Sequence, residues 1–196
     1  MNTFPINSRC VEVELKFPLK NARELIQELN KIAKLKQQNI FQKDTYYVPA
    51  HRDFLAKKYP YEWLRIRETK QSVTLNYKHW YPENSKEAYH CDEFETKIED
   101  VTALKKIFER LNFKEIITVE KTRSVWMYKN VEIAIDDVKD MGFFIELEAK
   151  NDFKDVDEAK KVLYDALKKL GAETGKQDFR GYPYRMLEKK GFRFGV

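Results

Sequence analysis

The chain of 196 residues contains few cysteines and no long apolar run. Its two cysteines, Cys10 and Cys91, lie far apart and form no C-x-x-C pair, so neither a zinc site nor a disulfide framework is predicted. No stretch of about 18 apolar residues occurs, and Met1 to Arg9 has no apolar core, so neither a membrane-spanning helix nor a secretory signal is expected. These absences predict a cytoplasmic protein without a membrane partner.

A glycine-rich phosphate-binding loop is also missing. Neither the Walker A pattern nor G-x-G-x-x-G follows any predicted strand, so bound phosphates would be held by side chains rather than by a backbone cradle. The formal net charge of +5 comes from 37 basic and 32 acidic residues, which is a small and scattered excess. Because no block of Arg and Lys with interleaved aromatic residues occurs, we do not expect nucleic-acid binding.

The patterns that are present indicate a mixture of helices and strands. Apolar residues recur at helical spacing in the segments 22–33, 101–111 and 156–170, and Gly171 is expected to end the third. About eight segments are predicted as strands: 10–17, 41–48, 62–68, 72–80, 91–98, 117–128, 131–137 and 143–149. Since no linker, composition shift or solenoid repeat occurs, the chain is predicted to be one α+β domain of residues 1–196.

The first predicted strand alternates strictly between apolar and charged residues. Successive side chains of a strand point to opposite faces, so Glu12, Glu14 and Lys16 share one face. A single strand of this kind also fits an ordinary solvated sheet face. The alternation recurs in nearly all of the remaining strands, however, and four strands, the first included, carry like charges two residues apart. These pairs are Glu12/Glu14, Arg65/Arg67, Lys121/Arg123 and Glu146/Glu148.

Taken together, the charged strand faces hold acidic and basic side chains in equal number. The acidic set is Glu12, Glu14, Glu93, Glu95, Asp136, Glu146 and Glu148, and the basic set is Lys16, Arg65, Arg67, Lys78, Lys97, Lys121 and Arg123. One interpretation is a solvated antiparallel sheet whose ion pairs contribute at most about 1 kcal/mol each. Like charges about 7 Å apart repel, however, unless other strands or a ligand bring opposite charge to them. We therefore predict a closed or nearly closed eight-stranded antiparallel barrel with its charged faces inward and about three helices on its outer face.

A barrel lumen of this kind suits a polyphosphate together with its metal ion. The basic side chains offer fork-shaped and point-like donors for several phosphate groups. Carboxylates cannot contact phosphate directly, and their natural partner is a hard divalent cation such as Mg²⁺ or Mn²⁺, which takes oxygen ligands and bridges to phosphate oxygens.

Several short blocks follow one another over about residues 10–150. They are E-x-E-x-K at 12–16, QKDTYY at 42–47, HRDF at 51–54, WLRIR at 63–67, EKTR at 120–123, IDDV at 135–138 and MGFFIELE at 141–148. In this order they resemble the class IV adenylyl cyclase branch of the CYTH superfamily, which is named for those cyclases and thiamine triphosphatase. Trp63 departs from the family pattern, which has a small residue there, and residues 180–184 resemble the closing segment of the cyclases only loosely.

The resemblance implies a triphosphate tunnel of eight antiparallel strands and assigns roles to the charged residues. The implied catalytic and substrate-clamping set is Lys16, Arg65, Arg67, Lys78, Lys121 and Arg123. The implied ligands of Mg²⁺ or Mn²⁺ are Glu12, Glu14, Asp136, Glu146 and Glu148. Asp44 and Tyr46, which share a strand face, are added as secondary substrate contacts.

Three functions are compatible with such a tunnel. A class IV adenylyl cyclase, which converts ATP to cyclic AMP and pyrophosphate, is favoured by the QKDTYY and HRDF blocks. The alternative is an inorganic or thiamine triphosphatase, in which water attacks the terminal phosphorus. A second alternative is a polyphosphate- or nucleotide-binding module without turnover, which the many carboxylates argue against. The expected partner is a nucleoside triphosphate or inorganic polyphosphate, and, because the family often dimerises, a homodimer is one expected assembly.

Overall fold

The computed structural model describes residues 11–150 and 153–195, in which eight strands and four helices are found. The strands are β1 (Val11–Pro18), β2 (Lys34–Val48), β3 (Glu62–Glu68), β4 (Val73–Tyr81), β5 (His90–Lys97), β6 (Lys114–Tyr128), β7 (Val131–Val138) and β8 (Gly142–Ala149). The helices are α1 (Ala22–Ile32), α2 (Val101–Arg110), α3 (Val156–Lys169) and α4 (Gly181–Lys189).

The eight strands close into an antiparallel barrel in the order β1-β5-β4-β3-β2-β6-β7-β8. β1 completes the ring because its first residues pair with β5 and its remaining residues pair with β8. The predicted eight-stranded antiparallel architecture is therefore confirmed. Closure also removes the exposed sheet edges that an open sheet of alternating strands would present to other chains.

Helices cover part of the outer face of the barrel, and the covered part is apolar. Leu15 of β1, Ile133 of β7 and Leu147 of β8 are fully buried in one cluster with Leu29 of α1 and Leu163 of α3. This packing explains the strict alternation in the sequence, since Val13, Leu15 and Phe17 pack in this cluster while the even positions of β1 face the lumen. The described part of the chain contains no helix long and apolar enough to span a membrane.

The ends of the helices follow local sequence signals. α3 begins after Asp155, whose side chain accepts a hydrogen bond from the backbone N–H of Glu158 at 2.9 Å. It ends before Gly171, which adopts a positive φ of 63° as a helix-terminating glycine. The predicted bounds of α1, α2 and α3 each agree with the structure to within one residue.

Two elements differ from the prediction. The structure has a fourth helix, α4, whereas about three helices were predicted, and its nine residues with Gly181 and Pro183 are too short and irregular to show helical periodicity. β2 begins at Lys34 rather than at residue 41. Its first half is polar and mostly exposed, and its pairing with β6 is interrupted by register shifts near Gln37 and by Asn39 at a φ of 51°. Such bulges break the alternation on which the prediction depends.

One end of the barrel is filled by an apolar cluster from several elements. Tyr46 of β2, Trp63 of β3 and Phe144 of β8 pack there with Tyr182 and Leu187 of α4. The fourth helix therefore lies against the end of the barrel rather than against its side wall. Cys91 is a buried free cysteine on β5, and Cys10 lies outside the described residues.

Candidate functional site

The inward-facing side chains line a cavity of about 1470 Å³ within the barrel. Of the thirteen site residues predicted from the sequence, eleven line it: Glu12, Glu14, Lys16, Tyr46, Arg65, Arg67, Lys78, Lys121, Arg123, Glu146 and Glu148. The other two, Asp44 and Asp136, are buried behind the basic side chains. These eleven residues come from six strands, and Glu93 of β5 and Glu132 of β7 line the same cavity, so all eight strands contribute to one space.

Asp44 holds the two arginines of β3 from behind. The Nε and Nη2 atoms of Arg67 each donate to its carboxylate at 2.7 Å, and Arg65 Nη1 approaches at 3.4 Å. Although burial alone would raise the pKa of Asp44, the charges of Arg67 and Arg65 lower it well below the usual range. Asp44 is predicted from the sequence as a substrate contact, but the structure directs its carboxylate to the arginines and leaves it 1% exposed.

Asp136 holds the basic side chains of β6 in a similar way. Arg123 donates to it through Nε and Nη2 at 2.7 Å each, and Lys121 Nζ donates at 3.0 Å. The hydroxyl of Tyr182 donates to the same carboxylate at 2.7 Å. The sequence predicts Asp136 as a metal ligand, and this stays a prediction. In the structure both of its oxygens accept hydrogen bonds from these donors, and Asp136 does not line the cavity.

Lys121 has an unusual environment for an ammonium group. Its side chain is almost completely buried and lies close to Arg123 and Arg67. Burial and the neighbouring charge of Arg123 lower the pKa of Lys121 to about 7 despite the contact with Asp136. An anion entering the cavity would bring the negative charge that favours its protonated form.

The opposite side of the cavity carries carboxylates from β1 and β8. Glu14 lies directly across from Glu148, and Lys16 lies across from Glu146, in the register of this strand pair. Lys16 Nζ is 3.2 Å from Glu14 and 3.0 Å from Glu146. Arg123 Nη2 lies 3.2 Å from Glu146 and so connects the acidic side with the basic side.

Lys78 of β4 lies among three further carboxylates. Its Nζ atom contacts Glu12 and lies 3.5 Å from Glu14 and 3.6 Å from Glu93. Burial, with the nearby Glu93, raises the pKa of Glu12 above its ordinary value. Despite its own burial, Glu93 has a lowered pKa because it accepts a hydrogen bond from Glu12 and lies near Lys78. The two carboxyl groups therefore influence each other's titration as well as contacting Lys78.

The structure adds residues that the predicted site omits. Glu93 and Glu95 of β5 line the cavity, as do Asn76 of β4 and Arg180 and Tyr182 of the C-terminal segment. The alternation of β5 already places its two glutamates on a charged face, so the sequence contained that signal. For Tyr182 the only signal is the loose resemblance of residues 180–184 to the cyclase closing segment.

Trp63, which departs from the family pattern, packs at the end of the cavity. Its indole meets the ring of Tyr46 edge to face, with ring centroids 5.8 Å apart, and both side chains are more than nine-tenths buried. The two rings thus form an apolar boundary beside Arg65.

Comparison with known proteins identifies the family of this barrel. A profile of the CYTH domain matches residues 11–182, which includes all eight strands and the start of α4. The chain belongs to the CYTH domain family. A CYTH relative named "Putative adenylate cyclase" from Methanocaldococcus jannaschii is 33% identical over 162 residues, which covers 83% of this chain and 89% of that protein.

Solved structures share the CYTH fold over most of their length. The PH1819 protein of Pyrococcus horikoshii is 33% identical, with a TM-score of 0.74 over 91% of this chain and 99% of that one. A Hippeastrum protein named "Putative adenylyl cyclase HpAC1", which is described as having a dominant triphosphatase activity, is 18% identical, with a TM-score of 0.60 over 93% of this chain and 96% of that one. At 18% identity, the similarity to the Hippeastrum protein concerns the fold alone.

CYTH tunnel enzymes depend on metal ions, and the acidic side of this cavity fits such an ion in its chemistry. Glu14 and Glu148 face each other across neighbouring strands, and this pair of like charges is unfavourable unless cations lie beside it, as Lys16 does at Glu14 and Lys150 at Glu148. Burial, with the charge of Glu14, raises the pKa of Glu148. Among the described residues no three metal-ligating side chains are already grouped for a metal, because lysines and Arg123 lie between the carboxylates.

Proposed function

We propose that this chain is a metal-dependent enzyme that acts on a triphosphate inside the barrel, with ATP conversion to cyclic AMP and pyrophosphate as its reaction. One observation carries the proposal: four strands direct six basic side chains into a cavity whose other side is lined by carboxylates. A triphosphate with its metal ion would offer new partners to both sides in exchange for the ion pairs that now join them. The name of the Methanocaldococcus relative and the QKDTYY and HRDF blocks support the cyclase branch.

The basic side chains would clamp the phosphates. Arg65 and Arg67 are held in fixed orientations by Asp44, and Arg123 by Asp136, so their remaining N–H groups are already directed at the lumen. Guanidinium groups donate in pairs to phosphate oxygens, and donors fixed before binding need no reorganisation when charge develops in the reaction. Lys16 and Lys78 would contact phosphate as point charges.

The carboxylates Glu12, Glu14, Glu146 and Glu148 would hold Mg²⁺ or Mn²⁺. The metal ion, when bound, supplies charge neutralisation at the phosphate oxygens. Lys78 and Lys16 would then release the carboxylates and turn towards the phosphates, which exchanges one set of ion pairs for another within the cavity. Asp136 keeps its hydrogen bonds to Lys121 and Arg123, and we assign it to positioning these two side chains.

In the proposed reaction the ribose 3′-hydroxyl attacks the α-phosphorus, and pyrophosphate leaves. The protein would contribute alignment of the hydroxyl with the leaving group and stabilisation of the pyrophosphate charge by the clamp. A triphosphatase would use the same side chains with water attacking the terminal phosphorus. The two reactions differ in the position of the triphosphate along the barrel.

The test is incubation with ATP, tripolyphosphate and thiamine triphosphate, each with Mg²⁺ or Mn²⁺, followed by separation of the products. Cyclic AMP with an equal amount of pyrophosphate supports the cyclase. Orthophosphate without cyclic AMP would replace it with a triphosphatase, and tight tripolyphosphate binding without any turnover would indicate a binding module. Arg67→Ala should abolish turnover, whereas Lys97→Ala, a basic residue of β5 that is exposed and does not line the cavity, should not.

A further inference from the structure

Tyr182 brings the fourth helix into contact with the phosphate clamp. It is the second residue of α4, its side chain is 4% exposed, and it lines the cavity. Its ring meets Phe144 of β8 edge to face, with centroids 5.0 Å apart. A tyrosine at the start of a short helix thus reaches the interior of the barrel.

The hydroxyl of Tyr182 completes the hydrogen bonds of Asp136. Oδ2 of this carboxylate accepts from Tyr182 at 2.7 Å, from Arg123 Nη2 at 2.7 Å and from Lys121 Nζ at 3.0 Å. A buried carboxylate requires hydrogen-bond donors. A hydrogen bond from a neutral hydroxyl reduces the number that the two cations must supply. The hydroxyl therefore leaves Lys121 and Arg123 freer to interact with a ligand in the lumen.

The ring of Tyr182 lies between two lysines from different sides of the cavity. Lys16 Nζ of β1 is 4.8 Å from the ring centroid, and Lys121 Nζ of β6 is 5.0 Å from it. Both distances are within the range in which an ammonium is attracted to an aromatic face. β1 and β6 are separated by β8 and β7 in the barrel, so this one ring bridges lysines that no strand pairing brings together.

The backbone before α4 is tied to the strand that carries Lys16. The N–H of Asp178 donates to the carbonyl oxygen of Lys16 at 2.8 Å, and the side chains of Asp178 and Arg185 form an ion pair at 2.7 Å. The position of Tyr182 is therefore fixed relative to β1 and not only to its own helix.

We infer that Tyr182 is a positioning residue of the clamp, which orients Lys121 and Arg123 through Asp136 and sets the spacing of Lys16 and Lys121 with its ring. This inference rests on the proposed function, because it assigns Tyr182 a part in binding the phosphates of that same site. It also gives α4 a role in ligand binding in addition to closing the end of the barrel.

The deciding comparison uses two tyrosines of the same helix. Tyr182→Phe removes the hydroxyl and keeps the ring. Tyr184→Phe is the matched control, since Tyr184 is equally buried, donates to the backbone oxygen of Lys58 at 3.4 Å and does not line the cavity. For each variant we would measure kcat and KM for the triphosphate substrate, the dissociation constant of tripolyphosphate with Mg²⁺ by calorimetry, and the melting temperature.

Tyr182→Phe should raise KM and the dissociation constant about tenfold, with a smaller change in kcat, whereas Tyr184→Phe should leave all three near the wild-type values. A purely structural role would reduce the amount of folded enzyme and hence kcat, but KM does not depend on enzyme concentration. Equal KM values and dissociation constants in Tyr182→Phe and wild type would overturn the inference.

A double-mutant cycle tests whether the hydroxyl acts through Asp136. In an Asp136→Asn background, Tyr182→Phe should add little further loss of tripolyphosphate affinity, because the two changes act on one interaction. If the two losses of affinity add fully, the hydroxyl does not act through Asp136. If wild type binds tripolyphosphate without turnover, the enzyme proposal fails while the binding arm still tests Tyr182. If wild type binds no tripolyphosphate, both proposals fail.

Discussion

At the scale of single residues, the arginines of the cavity are held by two aspartates that do not themselves line it. Asp44 and Asp136 are each at most 1% exposed, and each accepts a paired hydrogen bond from an arginine, Arg67 or Arg123. Removing one member of a buried ion pair leaves an uncompensated charge, which is strongly destabilising. The buried carboxylates thus keep several cations together in a space where they would otherwise repel one another.

The first prediction concerns the pH dependence of binding at Lys121, which is faced by Arg123, Arg67, Asp136 and Asp44. Its pKa is lowered to about 7 from the usual 10.5, mainly by burial and then by Arg123. Between these two values the unfolded chain binds more protons than the folded one, so this group makes stability rise with pH above 7. The affinity for a phosphate ligand has the opposite pH dependence and falls as the pH rises above 7. A phosphate favours the charged lysine, so binding above pH 7 must take up a proton.

Calorimetry of tripolyphosphate binding at pH 8, in buffers with different heats of ionisation, should therefore show proton uptake in excess of that of the ligand itself. Lys121→Arg keeps the charge at all accessible pH values and should abolish the excess. The same proton uptake in wild type and Lys121→Arg would assign it to another group.

At the scale of elements, the strands that carry the arginines depend on a helix on the outer face of the barrel. Phe108 of α2 is buried against Tyr47 of β2 and Ile66 of β3, with its ring centroid 5.1 Å from that of Tyr47. Ile66 lies between Arg65 and Arg67, so α2 supports the strand that presents both arginines. The outer packing and the inner charges are thus two faces of the same strands.

The second prediction tests this support. Phe108→Ala should lower the free energy of unfolding by about 3 kcal/mol or more, because it leaves a cavity in a packed cluster. Ile107→Ala, at the neighbouring position of the same helix, should change stability by no more than about 0.5 kcal/mol, because Ile107 is 52% exposed. Urea unfolding of both variants measures the difference. Equal midpoints would show that α2 contributes little to holding β2 and β3.

The elements that could be predicted from the sequence are those with a regular period. β3 is found at its predicted bounds of 62–68, and its alternation places Arg65 and Arg67 in the lumen. The first half of β2 was not predictable because its bulges interrupt the period, and α4 was not because its helical turns are few. Tyr182 could not be assigned for the same reason: its role depends on where a short, aperiodic segment lies against the barrel.

The site shows the same limit within a strand. The alternation of positions along a strand predicts which side chains of β6 and β7 face inward, and Lys121, Arg123 and Asp136 all do so. The same alternation does not distinguish a carboxylate at the cavity surface from one buried behind two cations. Asp136 is of the second kind because Arg123 lies directly opposite it in the β6–β7 pairing.

At the scale of the whole molecule, the barrel concentrates opposite charges in one buried space. The lysines and Arg123 lie among the carboxylates, so each charge has a partner only while the others stay in place. Desolvating so many charges is costly, and ion pairs in such a setting add little net stability. A ligand that brings both phosphate and metal supplies new partners to both sides together.

The third prediction is that tripolyphosphate with Mg²⁺ stabilises the fold far more than either component alone. A ligand at about one hundred times its dissociation constant adds about 2.7 kcal/mol to the free energy of unfolding. For a domain of this size that corresponds to a rise of roughly 5–10 °C in melting temperature. Sodium sulfate at equal ionic strength should produce a smaller rise, because it screens charges without bridging the two sides of the cavity.

Two substitutions separate specific binding from a general effect of anions on a basic protein. Arg67→Ala removes one clamp residue and should reduce the rise in melting temperature, whereas Lys97→Ala lowers the net charge equally but lies outside the cavity and should preserve it. A rise of the same size in both variants would mean that tripolyphosphate binds the outer surface. A rise that depends on Arg67 and on Mg²⁺ together would support the proposed site, in which the arginines contact phosphate and the carboxylates bind the metal.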